Sequence, residues 1–144
     1  MTQPIILPLV AMVFLTLIVA IVMYRRRVGY MKAKRIHPQK VHSRQGGVEH
    51  IADTRASDNY MNLFELPVLF YVAIFTIMLT NNSSHLMVAL AWAFVAFRVV
   101  HSFIHCTYNK VMHRFATFIL SFITVSAMWL VLAANLILGT SLSL

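Results

Sequence analysis

Four long apolar stretches, parted by polar connections, constrain this chain more than any other feature. Residues 5–24 carry no charged side chain. They have the ~20-residue length that a helix needs to cross a bilayer core of about 30 Å. Further apolar stretches cover residues 62–80, 85–108 and 114–138. In lipid every backbone N–H and C=O must be satisfied within its own segment, so each stretch must be helical. Hydrophobic residues make up 60% of the 144 and charged residues 11%; soluble domains have ~45–50% and ~25%. A chain this short exposes too much of its surface to hide that excess from water. A soluble enzyme, a disordered chain and a coiled coil are thereby excluded. The expected fold is an all-α integral membrane protein, a single four-helix bundle with spans at about 5–24, 54–80, 85–108 and 114–138. The first span does not read as a signal peptide, since it lacks a basic start and a small-x-small cleavage site.

The charges are clustered. Twelve Lys and Arg stand against four Asp and Glu, for a net charge of +8. Eight of the basic residues lie between Arg25 and Arg44, and all four acids lie between Glu49 and Glu65. Such clustering marks loops at a membrane surface, where cations meet anionic lipid; nucleic acid is not the expected partner. Residues 25–53 read as a long polar loop with Gly46-Gly47 as its most flexible point, and Arg25-Arg26-Arg27 as the end of the first helix. Asn81-Asn82-Ser83-Ser84 reads as a tight turn in which Ser83 or Ser84 caps the next helix. By the positive-inside rule the first and third loops face the cytoplasm and both termini lie outside. The single cysteine, Cys106, excludes an internal disulfide and a cysteine-based zinc site.

Ionisable groups at membrane depth cost ~2.5–3.5 kcal/mol each on insertion scales, so those present need a reason. On the second span, extended back to residue 54, Arg55, Asp58, Asn62 and Glu65 recur at helical spacing and form one polar stripe. Pro67 follows and is expected to kink that helix. On the third span Arg98, His101, His105 and Tyr108 repeat the geometry. Depth counting allows a Glu65–Arg98 ion pair. Arg114 at the start of the fourth span adds a cation to a helix N-terminus, which itself favours anions. The expected result is a positively lined pocket, open to one side of the membrane, for a small anionic polar ligand.

The same residues resemble a known family, the membrane-associated proteins in eicosanoid and glutathione metabolism (MAPEG), which includes the microsomal glutathione transferases. Asn62-Leu63-Phe64-Glu65 resembles the family's N-x-x-E, and Arg55 resembles a family arginine seven residues earlier. Arg98-x-x-His101-x-x-x-His105 resembles its R-x-x-[HY]-x-x-x-Y, and Arg114 its thiol-activating arginine. The resemblance implies a homotrimer that binds glutathione as co-substrate through Arg55, Asn62, Glu65, Arg98, His101 and His105, with no metal. It implies Arg114 as the catalytic residue, stabilising the glutathione thiolate for attack on a lipophilic electrophile dissolved in the bilayer. Asp58, His105, Phe115 and Phe118 stand where members tend to carry arginine, tyrosine, serine and tyrosine. Two alternatives stay open: a non-catalytic member that binds a lipid or a partner protein, and a haem- or metal-binding membrane protein using His101 and His105 with His85 or His113.

Overall fold

The computed structural model describes residues 4–138, the side chains of Arg44 and Val48 aside. Regular structure among them is helical throughout: α1 Ile6–Ala33, a 3-10 turn Pro38–Val41, α2 Arg44–His50, α3 Arg55–Asn62, α4 Leu66–Leu79, α5 His85–Cys106 and α6 Val111–Leu138. Four spans are long and apolar enough to cross a membrane: α1, α3 with α4, α5, and α6.

The first helix does not stop at the arginine triplet. It continues to Ala33, because Arg, Met, Lys and Ala are all good helix formers and only Gly29 weakens the run. It ends where Arg35 enters the left-handed region at φ 53°. There the Arg35 N–H donates to the Lys32 carbonyl at 3.3 Å and the Ile36 N–H to the Met31 carbonyl at 2.9 Å, closing the last turn. Gly46 and Gly47, expected as the loosest point of a loop, lie inside α2. Ser43 caps that helix by accepting from the Gly46 N–H at 3.0 Å. A Cβ on Gly46 would collide with the Lys40 carbonyl, so this turn of helix packs against the 3-10 turn only through a glycine.

Pro67 breaks the second span rather than kinking it. Proline has no N–H to donate to the Leu63 carbonyl, and its ring crowds that carbonyl. α3 therefore stops at Asn62, and a new helix starts with Pro67 in its first turn, where a missing N–H costs nothing. Beyond α4, Asn81 sits at φ 54° and the Asn82 N–H reaches the Ile77 carbonyl at 3.0 Å. Ser84 then caps α5, accepting from the Met87 N–H at 3.3 Å. α5 ends at Cys106, two residues short of Tyr108, and α6 begins at Val111, so that Arg114 lies within its first turn.

α5 and α6 pack against each other more extensively than any other pair. The core joins Met12 and Val19 of α1, Phe70, Ile74 and Ile77 of α4, Met87, Ala91 and Phe94 of α5, and Val125, Met128 and Leu132 of α6. Phe70 and Phe94 stack with ring centroids 4.5 Å apart. Lipid is as apolar as leucine, so close packing and polar ties, not the hydrophobic effect, hold such helices together. The ties gather at one end. Arg26 Nη1 donates to the Cys106 carbonyl at 2.7 Å, Arg55 donates to the Thr107 carbonyl, and the Asp53 carboxylate receives Arg55 Nε at 2.8 Å and lies 3.8 Å from Arg26. The hydrogen bond from Arg55 is the chief reason that the Asp53 carboxyl is held below its ordinary range.

Candidate functional site

The antiparallel contact of α5 with α6 and the break after α3 bring three sets of polar side chains to one place. α5 contributes Arg98, His101 and His105, all buried and at i, i+3 and i+7. The first turn of α6 contributes Arg114, and the end of α3 contributes Asn62 with Glu65 just beyond it.

Arg98 has 0 % of its surface exposed. Its Nη2 donates to the Asn62 carbonyl at 3.1 Å and to Asn62 Oδ1 at 2.8 Å. Asn62 Nδ2 in turn donates to Glu65 Oε2 at 3.0 Å. The expected direct Glu65–Arg98 ion pair is thus replaced by a relay with Asn62 in the middle. The helix break turns Glu65 outward, where it is exposed, and leaves Asn62 facing α5. Among the described residues the ion pairs are those of Asp53 with Arg26 and Arg55. The Nε and Nη1 atoms of Arg98 have no protein partner.

The two histidines are oriented by Arg114. His101 Nδ1 lies 3.1 Å from the Arg114 carbonyl. A carbonyl only accepts, so Nδ1 carries the proton and Nε2 is a bare acceptor, buried and unpartnered. His105 Nε2 lies 3.1 Å from Arg114 Nη1. A guanidinium only donates, which makes that nitrogen the acceptor and leaves Nδ1–H without a partner. Arg114 Nη1 also donates to Asn109 Oδ1 at 2.8 Å. The two rings meet edge to face with centroids 5.6 Å apart. Asn62, His101, Val111, Arg114, Phe115 and Phe118 line a pocket of about 140 Å³.

The sequence model of the MAPEG family matches residues 5–134, nearly the whole chain. This chain belongs to the MAPEG family. No curated protein and no solved structure matches it. It is an integral, multi-pass membrane protein of a family tied to glutathione and eicosanoid metabolism.

The polar stripe expected on the second span of this MAPEG chain does not hold together. Arg55 stands away from the pocket, with its guanidinium on Asp53 and the Thr107 carbonyl. Asp58 accepts from Thr54 Oγ1 at 2.8 Å, and Glu65 lies beyond the break. His113 turns to the Tyr108 hydroxyl at 3.1 Å, away from His101 and His105. Among the described residues no group of three or more His, Cys, Asp or Glu side chains comes close enough to hold a metal ion. Two residues of the site escaped the sequence reading. Asn109, at φ 51°, follows the end of α5 as asparagine often does and places its side chain on Arg114. Thr117 is one turn after Arg114 and donates to its carbonyl at 2.9 Å.

Proposed function

We propose that this MAPEG protein is a membrane-embedded glutathione-dependent transferase or peroxidase, joining the glutathione thiolate to lipophilic electrophiles. The observation that carries the reading is the pocket beside Arg114, walled by His101 and by Asn62 of the relay, in an otherwise apolar bundle. Burying a guanidinium with two unpartnered nitrogens costs several kcal/mol. Such a charge supports a role in holding a site open rather than in stability. The exposed Glu65 carboxylate suits the ammonium of the tripeptide, and Arg114 suits an anion. Arg98, shut off from the surface, acts through Asn62. Arg55, expected as a binder, acts in this reading as a clasp between α3 and α5.

A pocket of about 140 Å³ is smaller than the ~300–1,000 Å³ of ordinary small-molecule sites. The tripeptide therefore needs a second wall, which a neighbouring copy in a homotrimer supplies. A free thiol has a pKa near ~8.5, so little of it is ionised at neutral pH. The Arg114 guanidinium, oriented by His105 and Asn109, favours the thiolate. His101 lines the same wall, with its Nε2 closed off. The thiol proton leaves to water, and the sulfur–electrophile bond forms as the electrophile's leaving group departs (chloride from a chlorodinitrobenzene) or as its strained ring or activated double bond opens and takes up a proton; the charged conjugate leaves to the aqueous side. In this reading the first and third loops face the cytoplasm, where glutathione is available.

The test is glutathione binding and turnover of the purified protein in detergent. Glutathione is expected to raise the unfolding temperature in proportion to the logarithm of its concentration above Kd. Arg114→Ala is expected to keep most of that shift and to lose about 100-fold in turnover of a model electrophile such as a chlorodinitrobenzene, the scale of a lost electrostatic catalyst. No shift with millimolar glutathione, or native turnover in the variant, overturns the reading. The second reading, a non-catalytic member that binds a lipid or a partner protein, is favoured by the engagement of Arg114 Nη1 with His105 and Asn109; a native protein that shows neither a glutathione shift nor turnover would support it.

A further inference from the structure

A second, separate cavity lies on the other side of α5. It is a groove of about 570 Å³ between α1 and α5. From α1 come Leu15, Ile18, Val19 and Val22, among others, and from α5 come Val99, Ser102, Phe103 and Cys106. Ile18 and Phe103 form exposed rims, while Ser102, at 3 % exposure, forms part of the floor. The Ser102 Oγ has no hydrogen bond to the protein and is itself closed off beneath this apolar floor. A serine buried on a lipid-facing wall ordinarily turns back on its own helix, as Thr16, Thr76 and Thr124 do here.

The groove also has a charged end. Positions 15, 18, 19 and 22 of α1 share one helix face, and one turn further that face carries Arg25 and Arg26. Because α1 continues as helix past the triplet, these arginines stay in register with the groove. Arg26 is tied to the Cys106 carbonyl. Arg25 is exposed and has no hydrogen bond or ion pair among the described residues.

We infer that this groove seats one anionic phospholipid: an acyl chain along α1 and α5, and the phosphate at Arg25 with Arg26 behind it. Charge and apolar surface are arranged as such a lipid arranges them, end to end, and a neutral lipid leaves Arg25 unmatched. The site is independent of the glutathione reading, since His101 and His105 face the other side of α5, toward Arg114.

The experiment uses the full chain, delipidated in detergent. It is titrated with dioleoyl phosphatidylglycerol, with dioleoyl phosphatidylcholine of the same chains, and with inorganic phosphate. Retained molecules are counted by native mass spectrometry. One phosphatidylglycerol per chain is expected, bound more tightly than phosphatidylcholine and not displaced by millimolar phosphate. Arg25→Gln should weaken phosphatidylglycerol about five-fold and leave phosphatidylcholine unchanged, the scale of one interfacial cation. Ser102→Ala, whose lost hydroxyl is closed off from the groove, should leave the binding of both lipids unchanged. Neither variant removes a bond within the protein, so their melting temperatures should match the native one. A photo-crosslinker at position 103 should label lipid. Equal retention of the two lipids, displacement by phosphate, unchanged phosphatidylglycerol binding in Arg25→Gln, or crosslinking of position 103 to a second copy of the chain would overturn the inference.

Discussion

Arg98 makes an unusual prediction about stability. Its guanidinium is fully buried and is held only by the two hydrogen bonds to Asn62, at 2.8 and 3.1 Å. Replacing it by methionine, of similar length, removes both bonds. Charge-assisted hydrogen bonds contribute about 1.5–3 kcal/mol each, for a loss of roughly 3–6 kcal/mol. The same change removes a buried charge with two unpartnered nitrogens, a desolvation cost of several kcal/mol that the native protein bears. The two nearly cancel, so Arg98→Met is expected to fall within about 2 kcal/mol of the native stability. Asn62→Ala is the harsher change. It keeps the charge and takes away the side-chain oxygen that faces it, leaving a single bond to the residue 62 carbonyl. Breaking one side of a buried polar pair costs about 3–5 kcal/mol. The lost Asn62–Glu65 bond adds little, because Glu65 is exposed. The Asn62→Ala/Arg98→Met double variant should recover most of that loss, with a coupling of about 3 kcal/mol. Equilibrium unfolding in mixed micelles, followed by Trp92 and Trp129 fluorescence, measures all three. If Arg98→Met costs more than about 4 kcal/mol while Asn62→Ala costs less than about 1 kcal/mol, the picture of an under-paired guanidinium held by one asparagine is wrong.

The remaining predictions concern the same end of the bundle. The Asp53 carboxyl is held below its ordinary range by Arg55. Its contribution is therefore complete above the unfolded carboxylate pKa of about 3.9 and is lost only as pH falls further, through the lower folded value. Melting curves from pH 7 to 3 should show an acid loss of stability that Asp53→Asn reduces, with no difference in slope between pH 5 and 7. Gly46→Ala should loosen α2 against the 3-10 turn, because its Cβ would meet the Lys40 carbonyl, and should raise protease cleavage between residues 34 and 54. Gly47→Ala, whose nearest neighbour is Arg27 Nη2 at 3.6 Å, should leave cleavage unchanged or reduce it, since alanine favours helix over glycine by about 1 kcal/mol.

Much of the architecture was legible before any coordinates. The apolar stretches are strong signals because lipid allows a spanning backbone only one open-ended solution, the helix. The cap on α5 was narrowed to Ser83 or Ser84, and Arg98, His101 and His105 were placed on one face of α5, because side chains three and four apart share a helix face. The reading failed at helix ends and at the proline. Arg25–Arg27 look like a boundary on charge alone, yet charge stops a membrane span without stopping a helix. Gly46-Gly47 look loose on conformational freedom alone, yet a glycine also lets two segments approach closely. Pro67 was expected to bend one helix, which kept Arg55, Asp58, Asn62 and Glu65 on one stripe; the break dissolved that stripe.

The order of residues by itself determined that this chain crosses a bilayer four times and which faces of its helices are polar, since both follow from local periodicity and from the cost of bare backbone in hydrocarbon. Only the tertiary structure decided which polar groups meet: Asn62 in place of Glu65 against Arg98, Arg55 on Asp53 rather than at the pocket, and Asn109 beneath Arg114. Those pairings depend on where each helix ends and how it turns against its neighbours, to within an ångström or so, and hydrogen bonds at 3 Å register differences that a spacing rule averages away.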